Sequence, residues 1–274
     1  MNWIIVVSSV VILLSLGLLF GWMLGVFSNV FHVKENPLVE KIKEALPQAN
    51  CGACGYSGCG SFAEAVARGD APINGCVAGG QETIDTLANI MGVSQKETQT
   101  RYVAVVLCKG GIDEALVNAD ARGASSCRMA HYLRLSDRAC NFGCLGYGDC
   151  AKACPFGAIT MGKNGLPIVN TTICTGCGIC VDKCPRDIMR LFSDTKRVLC
   201  LCSNRDTGSL VRKACKVGCI SCGLCVKKCP QKAITFKNNL PVIDIEKCDL
   251  CGICVTICPV HSLSLRQALT EKDE

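Results

Sequence analysis

Twenty-five of the 274 residues are cysteines, and sixteen of them fall into four blocks that each close on Cys-Pro. Three blocks obey C-x2-C-x2-C-x3-C-P: Cys174, Cys177, Cys180 and Cys184; Cys219, Cys222, Cys225 and Cys229; Cys248, Cys251, Cys254 and Cys258. In such a run three thiolates hold one [4Fe–4S] cluster and the fourth crosses to a neighbouring cluster. A tetrahedral four-thiolate zinc site wants two cysteine pairs, not three even spacings and a Pro-flanked fourth. The proline ends the binding loop and has no N–H to leave unpaired. The spacing therefore implies one-electron chemistry at iron–sulfur cofactors.

Residues 154–185 and 229–259 align almost without gaps, at a period of 75 residues. Each stretch runs from Cys-Pro through an Ala-Ile-Thr strand, a turn and a Pro-containing strand to the next cysteine block. Thr160 and Thr235 are equivalent, and Lys163-Asn164-Gly165 and Lys237-Asn238-Asn239 are hairpin signals. The repeat reads as two tandem two-cluster ferredoxin-like modules. Cross-ligation then expects Cys258 to join Cys219, Cys222 and Cys225, and Cys229 to join Cys248, Cys251 and Cys254. In the first module Cys154 joins Cys174, Cys177 and Cys180. Cys184 joins Cys140, Cys144 and Cys150, whose spacing is stretched to C-x3-C-x5-C-x3-C-P. That departure reads as altered cluster exposure or a docking loop at Leu145 to Asp149.

A further set, Cys51, Cys54, Cys59 and Cys76, has the glycine-rich form CGACGYSGC before its last member. Glycines between ligands let backbone N–H groups turn toward cluster sulfurs. Zinc is the competing reading, but the spacing lacks a second tight pair. Five clusters use twenty ligands and leave Cys108, Cys127, Cys200, Cys202 and Cys215. Cys108 and Cys127 with Cys202 and Cys215 would complete a sixth cluster, with Cys200 a free thiol. The alternative is five buried apolar thiols.

The elements that must position these ligands are legible in outline. Residues 3–27 carry no charge and are long enough to span a ~30 Å hydrocarbon core. No basic n-region or A-x-A-like cut site marks a cleaved signal peptide. Lys34, Lys41 and Lys43 follow the span, which places the N-terminus outside and the rest in the cytoplasm. That reducing side suits thiolates rather than disulfides. Gly17, Gly21 and Gly25 form a stripe that lets another helix approach. Asn36-Pro37 starts a helix through Leu46 with Leu38, Ile42, Ala45 and Leu46 inward. Ser61 and Glu64 read as a capping box for a helix through Arg68. The fold class is α+β: one transmembrane helix (1–30), a four-cysteine domain (31–95), a connecting segment (96–135), module one (136–193), a bridging segment (194–216), module two (217–264) and a tail (265–274).

Aromatic residues make up only 5% of the chain, too few for large apolar cores. Clusters would act as the staples, so ligation becomes folding free energy. The formal charge of +6 treats thiols as neutral. Twenty-four thiolates on six dicationic cores would bring it to about −6, so nothing points to nucleic acid. Lys152, Lys183, Arg186, Lys213, Lys216, Lys227 and Lys228 flank ligands, where they offset cluster charge, form a landing surface for an acidic carrier, or are simply solvated. No G-x-G-x-x-G, Walker sequence or C-x-x-C-H occurs, so no nucleotide or covalent haem is expected. His32, His131 and His261 are isolated, and no catalytic residue is assigned.

An N-terminal anchor, the CGACGYSGC domain and tandem ferredoxin modules occur together in one known family. The chain resembles the B subunit of Rnf complexes over essentially its full length, including Asn141 to Cys150 and Val211 to Cys219. The resemblance implies a component of a ferredoxin:NAD+ oxidoreductase coupled to Na+ or H+ transport, fed by reduced soluble ferredoxin. It implies partner membrane and peripheral subunits that carry flavin and NAD+. Two other roles are compatible with the residues: a related complex that keeps a redox-sensing transcription regulator reduced, and an electron-transfer subunit of another membrane oxidoreductase such as a hydrogenase.

Overall fold

The computed structural model describes residues 3–30, 36–93, 100–116 and 123–266. Helix α1 (Trp3–Val30) contains a 23-residue stretch, Val6–Ser28, long and apolar enough to cross a membrane. None of it is buried against the rest of the chain. A Cβ at Gly17, Gly21 or Gly25 would touch nothing, so the glycine stripe has no partner among the described residues of this chain. Lys34 and His32 lie outside the described residues, as do residues 267–274 of the tail.

Helix α2 (Pro37–Ala45) begins as its sequence expects, with the Asn36 carboxamide accepting from the Leu38 N–H at 3.0 Å. Its inward face sets Ile42 and Leu46 against Phe62, Val66 and Leu87 of helices α3 (Cys59–Arg68) and α4 (Gly80–Met91). The expected capping box does not form. Helix α3 starts two residues before Ser61, and the cap comes from a distance: the Asn50 Oδ1 accepts from the Cys59 N–H at 2.8 Å. Ser61 pairs with the Ser57 hydroxyl, and Glu64 faces Arg68 one turn on. A nonlocal cap replaces the local one because it ties the cysteine loop to the helix it feeds.

Each module is two antiparallel strand pairs with short helices between them. In the first, β1 (Tyr102–Val106) pairs with β4 (Met189–Ser193), and β2 (Ile159–Met161) with β3 (Pro167–Val169). In the second, β5 (Arg197–Cys200) pairs with β8 (Leu263–Arg266), and β6 (Ile234–Lys237) with β7 (Leu240–Ile243). The connecting and bridging segments thus each supply the first strand of a module. The β6–β7 turn is Asn238-Asn239 with φ of 52° and 62°, the left-handed pair a tight hairpin turn needs. Apolar side chains of β1 and β5 with Leu107 form a small shared core, Val105, Leu107 and Leu199, that joins the modules. A bridge between Ala115 and Cys215 adds a second seam.

Four one-turn helices repeat one device: α6 (Asp149–Lys152), α7 (Ile179–Asp182), α9 (Leu224–Lys227) and α10 (Ile253–Thr256) each follow a left-handed glycine. Each carries one ligand-type cysteine, Cys150, Cys180, Cys225 or Cys254, turned inward and buried.

Gly176, between Cys174 and Cys177, has φ of 71°, and a Cβ there would run into the Tyr102 backbone carbonyl of β1. Gly176→Ala is expected to cost at least about 1–3 kcal/mol from the backbone strain alone. Gly55→Ala, at φ of 86° with nothing within 4 Å, should cost only that strain. Chemical denaturation of the two holo variants, followed by visible absorbance, measures the difference.

Candidate cluster-binding sites

The four-cysteine domain gathers its thiols at one point. Cys51, Cys54, Cys59 and Cys76 line a cavity of about 320 Å3 together with Leu46, Pro47 and Phe62. Gly52 and Gly55, both left-handed, fold the loop back, and the 3-10 turn Ile73–Gly75 delivers Cys76 from the other side. In the first module Cys154, Cys174, Cys177 and Cys180 line a cavity of about 310 Å3, walled by Phe156, Ile159 and Leu191. The Ala104 N–H of β1 points at the Cys174 sulfur at 3.4 Å.

The second module groups its cysteines in two places. Cys254 is surrounded by Cys248, Cys251 and Cys229, and Cys225 by Cys219 and Cys222. The buried Ser262 hydroxyl meets Cys258 at 3.4 Å and also bonds Cys219, which joins the crossing ligand to its run. Ala233 N–H donates to the Cys229 sulfur at 3.4 Å. Cys222 and Cys251 are exposed, the only such cysteines among the described residues.

Two further cavities hold eight of the nine other thiols, and here the structure exchanges two of them. Cys127, Cys144, Cys150 and Cys184 line one of about 400 Å3. Cys108, Cys140, Cys202 and Cys215 line another of about 380 Å3. The spacing puts Cys140 with Cys144, and Cys127 with Cys108; in the structure each sits in the other's place. Cys127 is the first residue of helix α5 (Cys127–Tyr132), whose Arg128 N–H is held by the Asp149 carboxylate at 3.2 Å. That tie delivers Cys127 to the site beside α6. Cys140 instead turns toward the seam, where the Asn204 carboxamide Nδ2 donates to its sulfur at 3.5 Å.

The signal for this exchange is present in the chain. Cys140-Asn-Phe-Gly143-Cys144 and Cys215-Lys-Val-Gly218-Cys219 are the same C-x2-G-C one repeat length apart. Cys108 and Cys202 each follow the first strand of a module by two positions. Their sulfurs accept equivalent bonds, from Cys144 N–H at 3.4 Å and from Cys219 N–H at 3.3 Å. The seam site is therefore a symmetric pair of pairs. Gly110 leaves it room, since a Cβ there would lie 2.7 Å from the Cys215 sulfur. Cys200 enters no foursome and donates its S–H to Cys219, which draws that thiol below its ordinary value and pushes Cys200 up.

Burial pushes the thiols of Cys144, Cys180 and Cys202 up to about 12 and those of Cys150 and Cys225 to about 11. Without iron these groups stay protonated, so ligation must release protons and draws on the metal's charge. The donor chemistry fits a thiolate-bound cube: four sulfurs at each point and no histidine in any of the four cavities. Among the described residues no group of such side chains converges tightly enough to clasp one ion. A cube with one thiolate per iron spaces its ligands wider than a single ion does.

Several of these groups face one another. Burial raises the Cys177 thiol, and Cys51 adds to that push. Cys180 feels Cys150 in the same way. The Cys144-to-Cys108 and Cys219-to-Cys202 bonds bind the seam site to its neighbours on both sides. Cys225, Cys254 and Cys258 share one core at the far end.

Residues 46–78 match the family described as "Putative Fe-S cluster", and residues 139–189 and 218–262 each match a "4Fe-4S dicluster domain". The chain is 43% identical over 232 residues to the B subunit of the Na(+)-translocating ferredoxin:NAD(+) oxidoreductase complex of Acetobacterium woodii, covering 85% of this chain and 69% of that protein. It is 40% identical to the B subunit of the ion-translocating oxidoreductase complex of Methanosarcina acetivorans, covering 89% and 92%. Against the B subunit of the proton-translocating ferredoxin:NAD(+) oxidoreductase complex of Clostridium ljungdahlii the identity is 41%, covering 89% and 86%. The chain belongs to the family of B subunits of Rnf-type ion-translocating oxidoreductase complexes, as an iron–sulfur electron-transfer component.

Proposed function

We propose that the chain is a linear relay of six [4Fe–4S] sites that takes electrons from reduced soluble ferredoxin and hands them to the other subunits of its complex. The observation that supports this reading is that four cavities are each lined by four cysteines, with Cys144-to-Cys108 and Cys219-to-Cys202 bonds linking neighbouring sets. The ligand sets are Cys51, Cys54, Cys59 and Cys76; Cys154, Cys174, Cys177 and Cys180; Cys127, Cys144, Cys150 and Cys184; Cys108, Cys140, Cys202 and Cys215; Cys219, Cys222, Cys225 and Cys258; Cys229, Cys248, Cys251 and Cys254. Each cluster, when bound, accepts and releases one electron. The protein's own part is to fix the spacing and to stabilise added negative charge through backbone N–H groups such as those of Ala104, Ile188 and Ala233, each 3.4 Å from a cysteine sulfur. NAD+ reduction and ion movement belong to partner subunits. Roughly 2.3 kcal/mol per electron is available for each 100 mV of downhill drop. Relatives differ in the ion their names carry, Na+ or H+.

We further infer that α1 anchors the chain with its N-terminus outside and the cluster domains in the cytoplasm. Lys41 and Lys43 on α2 support that orientation. Protease should strip the soluble part in inside-out vesicles and spare it in right-side-out ones; the reverse pattern rejects the topology. The function is tested by NAD+ reduction with reduced ferredoxin in membranes: removing this chain should abolish it, and unchanged rates reject the proposal.

The ligand sets carry their own test in iron content. Cys140→Ala should lose about four irons per chain. Adding Cys202→Ala should remove no more, because both serve one site, whereas adding Cys144→Ala should double the loss. A doubled loss for Cys140 with Cys202 would return Cys140 to the other foursome.

A further inference from the structure

Two arginines lie beside the seam site and its neighbour in the first module, and neither has a carboxylate partner among the described residues. Arg138 is 6% exposed and lines the seam cavity. Its guanidinium is held by carbonyls alone, donating to the oxygens of Gly110 at 3.1 Å and Gly165 at 3.2 Å. Arg186 lines the adjoining cavity and donates to the carbonyls of Cys140 at 3.1 Å and Gly143 at 2.8 Å. Its Nε is buried with no hydrogen-bond partner. A buried or half-buried cation without a counter-ion is unfavourable, so native proteins supply an anion. The thiols of Cys108, Cys140 and Cys144 face these two side chains, which also face and repel each other, so an anion between them has two cations to neutralise.

We propose that Arg138 and Arg186 are the built-in counter-cations of these two adjacent cluster sites and raise their reduction potentials above what thiolate ligation alone would set. The proposal rests on the ligand sets given above. Its logic is electrostatic: a four-thiolate cube is an anion, and one added electron increases its charge, so a fixed cation nearby favours the reduced form. Arg138 lines the seam cavity and Arg186 the adjoining one, and both face the thiols of Cys108 and Cys144, one from each site. Neither touches the inorganic group's ligating sulfurs by hydrogen bond, so they are positioning residues for charge.

The test is an EPR-monitored redox titration of the purified complex. Signals of the two sites are identified by their loss in Cys140→Ala and Cys127→Ala. Arg186→Gln and Arg138→Gln should each shift both midpoints to more negative values while the other four sites stay in place. A tenfold fall in electron affinity reads as about 59 mV for a one-electron couple. Arg186→Lys, which keeps the charge without the fork, should recover most of the shift, and it also serves if Arg186→Gln fails to assemble. Arg190→Gln, on the exposed face of β4, should shift nothing. Unchanged midpoints with full iron in the arginine variants overturn the proposal alone. Iron missing from these two sites in the unsubstituted complex overturns the ligand sets beneath it, and the proposal with them.

Discussion

Thiol convergence is the constraint on which the soluble part of this molecule depends. Its apolar cores are small: the seam core has three buried residues and the core of the second module six, three of them cysteines. Fixing each residue costs about 1–2 kcal/mol of backbone entropy, which so little apolar burial does not offset. Ligation closes the gap, because each site joins segments far apart in sequence. The seam site alone links positions from Cys108 to Cys215. Iron therefore does two jobs with one set of bonds, carrying electrons and closing loops whose free ends would otherwise separate.

Backbone geometry serves the same end. A left-handed glycine before each one-turn helix reverses the chain without steric cost and aims the next cysteine inward. Helices this short have little stability of their own. They persist because strand pairs flank them and because the ligand each carries is fixed at its far end.

What the sequence disclosed follows from how local the signal is. Three C-x2-C-x2-C-x3-C-P runs specify a loop, a turn and a crossing ligand within about a dozen residues, and Cys154 lies with Cys174, Cys177 and Cys180 in one cavity. The Asn36-Pro37 start and the Asn238-Asn239 turn are equally local. The misreadings are nonlocal. Ser61 loses its capping role to Asn50, which approaches through the folded loop. Cys127 and Cys140 are interchanged because spacing alone does not reveal which way a cysteine faces. Only the repeated C-x2-G-C of Cys140 to Cys144 and Cys215 to Cys219 carries that information.

That repeat also explains how the two modules meet. A two-cluster module is closed on itself: its ligands cross between its own sites and reach nowhere else. Here each module lends one cysteine after its first strand and one ahead of its first run, and the four meet at the seam. The thiols are symmetric but the charges are not. The position one repeat after Arg138 is Lys213, which is exposed on helix α8 (Gly208–Ala214). The seam cavity therefore has a buried guanidinium on the first module's side, whereas the matching position of the second module lies in solvent and the Asn204 carboxamide reaches a seam sulfur instead.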